Sequence, residues 1–129
     1  MPASSEFLTL RRFSVGDEDL LVKAYGPAGR VKLFVPKGAS AEGGYLGIFE
    51  PFNLVDVSYK QSGNVLLVGD VRKAFFLSYL ALQDYSAFVW MSRVLEFVER
   101  WFIQYEPELF SLAVEYLQKH PENQDLAFL

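Results

Sequence analysis

The stretch FLTLRRFSVGDEDLLVKAYGPAGRVKLFV, residues 7–35, decides the fold. It divides into three short β-strand patterns over residues 7–13, 19–25 and 30–35. Each holds the alternation of apolar and polar side chains that a pleated strand sends to opposite faces. The first strand ends at the turn Ser14-Val15-Gly16-Asp17-Glu18, and the second and third are joined by Gly26-Pro27-Ala28-Gly29. That glycine–proline link is the best hairpin signal in the chain. Strict alternation puts Phe7, Thr9, Arg11 and Phe13 on one face, with Lys23 and Tyr25 on the next strand and Arg30, Lys32 and Phe34 on the third. The opposite faces carry Leu8 and Leu10, then Leu20, Val22 and Ala24, then Val31, Leu33 and Val35, and these are expected to form a barrel interior.

Residues 36–47 read as a loop with a helical turn. Strand patterns resume at residues 52–60 and 65–70, joined by the turn Gln61-Ser62-Gly63-Asn64. Five short strands with one longer insertion after the third point to a small closed barrel of the OB-fold type. The second half differs in kind. All nine glycines lie at or before Gly69, and residues 75–105 contain neither glycine nor proline. Helices are therefore expected there, with a break near Asp84-Tyr85-Ser86 where Ser86 caps a new helix. Pro107 suits the first turn of a last helix over residues 109–120, stopped by His120-Pro121. The expected architecture is β then α: a five-stranded OB-fold barrel over residues 1–74 and a small helical domain over residues 75–129.

Composition excludes much. A chain of 129 residues is one domain or little more. Without cysteine there is no disulfide, thiolate metal site or cysteine nucleophile, and a single histidine, His120, rules out a multi-histidine metal site. The start, Met1-Pro2-Ala3-Ser4-Ser5-Glu6, lacks a basic region followed by an apolar run, so a cytoplasmic protein is expected. Residues 75–92 carry one charge, Asp84, but polar residues interrupt their middle, so a buried helix is expected and not a membrane span. The net charge is −4. Residues 1–74 hold nine Lys/Arg against eight Asp/Glu, and the remainder three against eight. A basic nucleic-acid binder by composition is thus excluded, and any polyanion must use one face of the first half.

That face interleaves cations with rings, the combination that holds single-stranded nucleic acid by phosphate contact and base stacking. The candidate nucleic-acid-binding residues are Arg11, Lys23, Tyr25, Arg30, Lys32, Phe34 and Lys37, joined by Arg72 and Lys73. In the helical half, Trp90, Met91, Val94, Val98, Trp101 and Phe102 offer apolar area beside Arg93 and Arg100. The two arginines lie seven residues apart and share a helix face, so Arg93, Arg100 and Trp101 are candidates for holding an acidic, hydrophobic peptide. No catalytic site, metal site or cofactor is expected. Asp17-Glu18-Asp19 has no partner cluster at metal-ligand spacing, Gly43-Gly44-Tyr45-Leu46-Gly47 lacks a P-loop lysine, and His120 reads as a helix-end cation. No nucleophile–base pair stands out, so the chain is not expected to be an enzyme.

The order of motifs adds a resemblance. Leu8-Thr9-Leu10-Arg11-Arg12, then Gly16-Asp17-Glu18-Asp19-Leu20-Leu21-Val22, Gly29-Arg30, Pro36-Lys37-Gly38 and Glu50-Pro51-Phe52-Asn53-Leu54-Val55 resemble the N-terminal part of the bacterial recombination mediator RecO, over residues 7–75. The resemblance implies an OB-fold followed by a helical domain, and a role in DNA repair and recombination without turnover. It implies binding of single-stranded DNA and of duplex DNA, with RecR-like and single-stranded-DNA-binding proteins as partners, near the nucleoid. Lys37 matches the family's basic residue in the Lys-Gly loop, and Arg11 and Arg30 match positions on its DNA-facing strands. The segment Ala39-Ser40-Ala41-Glu42-Gly43-Gly44 lacks the family's further bases, and the four-cysteine zinc module is missing. The expectation is a short, zinc-less RecO-like mediator. The alternative is a protein-interaction module that has lost DNA binding.

Overall fold

A computed structural model describes residues 3–27, 29–40, 45–102, 104 and 106–118. Five strands come first: β1 (Ala3–Val15), β2 (Asp19–Gly26), β3 (Gly29–Val35), β4 (Leu54–Ser62) and β5 (Val65–Phe75). Three helices follow: α1 (Ser78–Ala81), α2 (Tyr85–Trp101) and α3 (Pro107–Gln118). The strands close into a barrel in the order β1-β2-β3-β5-β4, with β1 also pairing β4. All pairings are antiparallel except β3 with β5, which meet in parallel at Leu33–Leu66 and Phe34–Leu67. This is the five-stranded barrel expected from the sequence, of OB type.

One strand does two jobs. The first part of β1 pairs β4 from Ala3 to Leu8, and the second part pairs β2 as far as Val15. Between them the ladder slips: Thr9 faces Ala24 and Arg11 faces Lys23, which leaves Leu10 as an extra residue. Such a bulge turns every later side chain to the other face. Strict alternation across residues 7–13 is therefore corrected. Phe7 lies inside the barrel with Leu20, Val22, Leu33, Val35, Val55 and Val57. Leu8 and Leu10, expected in that interior, instead sit on the outer surface beneath the helices, with Tyr25, Phe52 and Leu54. Arg11 and Phe13 point outward as expected, but by way of the bulge.

The helices cover that outer apolar strip. Trp90, Met91, Val94, Leu95 and Val98 of α2 and Phe110, Ala113, Tyr116 and Leu117 of α3 share one core with the strip. Asp84 caps the N-terminus of α2: its backbone is extended, and its side-chain Oδ1 accepts the Ala87 N–H at 2.7 Å. The cap is thus Asp84 and not Ser86, which is exposed in the first turn. Pro107 opens α3 as expected. The apolar run at residues 75–92 is divided among the end of β5, α1 and the start of α2. Among the described residues no helix is long and apolar enough to cross a membrane.

The link from β3 to β4 also positions the site. Asn53 is fully buried and donates to the Gly47 and Ile48 carbonyls at 3.0 and 3.1 Å while accepting from the Ser78 N–H at 2.9 Å. The backbone of Asn53 and of Phe52 bonds β1 at the bulge: Thr9 N–H donates to the Asn53 carbonyl and Phe52 N–H to the Thr9 carbonyl. Phe52, at φ 80°, is thereby held against α2, where its ring meets Phe88 edge-on.

Candidate nucleic-acid interface

Cross-strand partners on a sheet share a face, so the register fixes which side chains meet. Arg11 lies opposite Lys23, and Lys23 opposite Lys32. Three cations thus form one row across β1, β2 and β3 on the outer face, at a strand spacing of about 4.8 Å. One step along the strands, about 6.7 Å away, the row is Phe13, Leu21 and Phe34. Phe13 is 44% exposed and Phe34 half-buried. The Lys23 ammonium lies 5.8 Å from the centre of the Phe13 ring, within cation–π reach. One step the other way is Tyr25 opposite Arg30. The cationic row is thus flanked by a row that carries two rings, Phe13 and Phe34, with Leu21 between them.

Between this sheet and α2 runs a groove of about 920 Å³. Arg11, Lys23, Arg30 and Lys32 line it from the barrel, and Ser92, Leu95, Glu96, Glu99 and Arg100 from α2. Leu10, Phe52 and Leu66 supply apolar lining, and Gln61 and Asn64 of the β4–β5 hairpin add neutral hydrogen-bonding groups. Five cations against two carboxylates give the groove a positive balance on a molecule of net charge −4.

The ion pairs are unequally shared. Arg11 Nε donates to Glu99 Oε2 at 2.7 Å, and Arg100 lies 3.8 Å from Glu96 one helical turn away. The hydrogen bond to Glu99, with its charge, holds the Arg11 guanidinium above its ordinary pKa. Lys23, Arg30 and Lys32 form no ion pair among the described residues. They are the cations open to an incoming anion.

Other expected residues fall elsewhere. Tyr25 is corrected: it is fully buried, its ring packed against Phe102 and Phe110, its hydroxyl donating to the Gln104 carbonyl and accepting from the Glu106 N–H. The segment leading into α3 seals it, so it offers no ring for stacking. Lys37 sits outside the groove, in a turn with φ 58° whose N–H donates to Asp19 Oδ1. Arg72 donates to Ser4 Oγ, and Lys73 stands opposite Asp56 in the β4–β5 ladder, so both belong to the β1–β4–β5 side of the barrel. The apolar groove expected beside Arg93 and Arg100 is also corrected. Trp90, Met91, Val94, Val98 and Phe102 are buried in the common core. Trp101 alone of that set is exposed, at 65%, against the Phe97 ring. Arg100 lines the groove with the barrel cations, whereas Arg93 is exposed outside it. His120 and Gly43-Gly44 lie outside the described residues.

Sequence reasoning missed Glu96 and Glu99 as members of the site. The spacing that puts Glu96 beside Glu99 (i,i+3) and beside Arg100 (i,i+4) was legible, but which face of α2 meets the sheet was not.

No family model matches the chain. An uncharacterized protein of Aquifex aeolicus is 38% identical over 122 residues, which is 95% of this chain and 57% of that relative. The chain therefore spans less than two thirds of the relative's length.

Proposed function

We propose that this chain is a RecO-like DNA-binding mediator that holds single-stranded DNA on the outer face of β1, β2 and β3 and acts without turnover. The observation that carries this reading is the row Arg11–Lys23–Lys32. Like charges directly opposite on a sheet oppose folding, and here Lys23 and Lys32 are left without a carboxylate partner among the described residues. A phosphate backbone supplies the missing charge. Lys23, Arg30 and Lys32 take phosphates, and Phe13 and Phe34 offer ring surface to bases, at about 1–3 kcal/mol for each stacked base. The motif order that resembles RecO supports the same reading and extends it to duplex DNA, RecR-like proteins and single-stranded-DNA-binding protein as partners in recombination and repair.

A protein-contact role of the helical half has its own support. Phe75, Phe76, Tyr79, Leu82, Tyr85 and Phe88 are large, apolar and exposed around α1. Trp101 and Arg93 add exposed groups farther along α2. If this is the whole function, DNA is not bound at all.

Anisotropy of a labelled oligonucleotide at two salt concentrations tests the reading. Binding at low salt that weakens steeply with added salt supports it. Charge reversal at Lys23 and Lys32 together is expected to abolish binding, and reversal at Lys37 to cost much less. Absence of binding at low salt overturns it in favour of the protein-contact role.

A further inference from the structure

The geometry points to Glu99 as a built-in competitor for the DNA phosphate: its carboxylate occupies the seat on Arg11 that a phosphate would take. This rests on the DNA-binding reading of the groove. A carboxylate and a phosphate present similar oxygens to a guanidinium, and both make short, charge-assisted hydrogen bonds to it. The Arg11–Glu99 contact is 2.7 Å and joins β1 to α2 across 88 residues of chain. It stands at one end of the cation row, with Lys23 and Lys32 beyond it without ion pairs among the described residues.

Two consequences follow from the position. A strand arriving on Lys23, Arg30 and Lys32 meets Arg11 already neutralised, so the ligand-free row offers one phosphate contact fewer than its cations. The Glu99 charge also lines the same groove and repels a backbone laid along it. The side chain of Arg11 is 60% exposed and that of Glu99 28%, so the pair is screened and weak enough to be opened. The Glu96–Arg100 pair, spaced i,i+4 on α2 with both groups about two-thirds exposed, is an ordinary helix-surface pair and is not assigned this role.

Glu99→Gln removes the charge while keeping the size. It is expected to tighten binding of a labelled single-stranded oligonucleotide several-fold at low salt. It is also expected to steepen the slope of log affinity against log salt by about 0.7, the increment for one added phosphate contact on a single strand. Glu108→Gln, at an exposed site on α3, makes the same change in net charge and is expected to leave the slope unaltered. Adding Arg11→Gln to Glu99→Gln is expected to remove the increment. If wild type binds and Glu99→Gln shows an unchanged slope, the competitor role is overturned and the DNA-binding reading stands. If neither protein binds, both are overturned.

Discussion

Lys23 carries the conflict at the centre of this molecule. It faces Arg11 on one side and Lys32 on the other, and its ammonium lies over the Phe13 ring. Relieving that repulsion is expected to trade binding for stability. Lys32→Thr should leave stability unchanged or raise it by about 0.2–1 kcal/mol, while DNA affinity falls and the salt slope flattens. Chemical denaturation beside the anisotropy titration reads both quantities. A second residue conflict lies inside the barrel wall. Thr9 is fully buried and its hydroxyl has no hydrogen-bond partner among the described residues. An unsatisfied buried hydroxyl costs about 1–3 kcal/mol, so Thr9→Val is expected to raise the urea midpoint. A third is Glu6, whose carboxyl is held above its ordinary pKa first by burial and next by Asp56 across the ladder, with Lys73 opposing. A carboxyl with a raised folded pKa binds its proton more tightly when folded. Its contribution to stability is therefore full below glutamate's ordinary pKa and is lost as pH rises through the raised value. Glu6→Gln should stabilise the protein at neutral pH and flatten its stability curve across that mildly acidic window.

At the scale of elements, the bulge in β1 and the cap of α2 do most to place the site. The bulge lets one strand put Phe7 into the barrel and Arg11 onto the outer face, with Leu8 and Leu10 under the helices between them. Nothing in Phe7-Leu8-Thr9-Leu10-Arg11 marks it, because no glycine or proline breaks the run and leucines satisfy either face. The succession of five strands, the Gly26–Gly29 hairpin and the first-turn Pro107 were legible, since each rests on local turn or periodicity rules. Tyr25 was not, because its burial is decided by Phe102, Phe110 and the segment before α3, far away in sequence. Gly26 shows how tightly β1 and β2 meet: a methyl group there would lie 2.4 Å from the Glu6 carbonyl oxygen. At α2, Asp84 satisfies the Ala87 N–H, and Asp84→Ala is expected to cost about 1 kcal/mol. A lowered thermal midpoint with unchanged DNA affinity at 25 °C would be the outcome, since the helix stays docked by its core face.

At the scale of the whole molecule, charge is segregated. The chain is acidic overall, yet five cations gather in one groove, and the helix that walls it returns two carboxylates. Net charge alone opposes approach of a polyanion, so affinity must come from close phosphate contacts and not from long-range attraction. The most direct test is the salt dependence of single-stranded DNA binding by the wild type and by a variant with Lys23 and Lys32 both changed to Gln. The expected result is a slope of about −2 for the wild type, from three phosphate contacts at about 0.7 each, and a slope near −0.7 with much weaker binding for the variant. Equal slopes and equal affinities for the two proteins would contradict the assignment of DNA to this face.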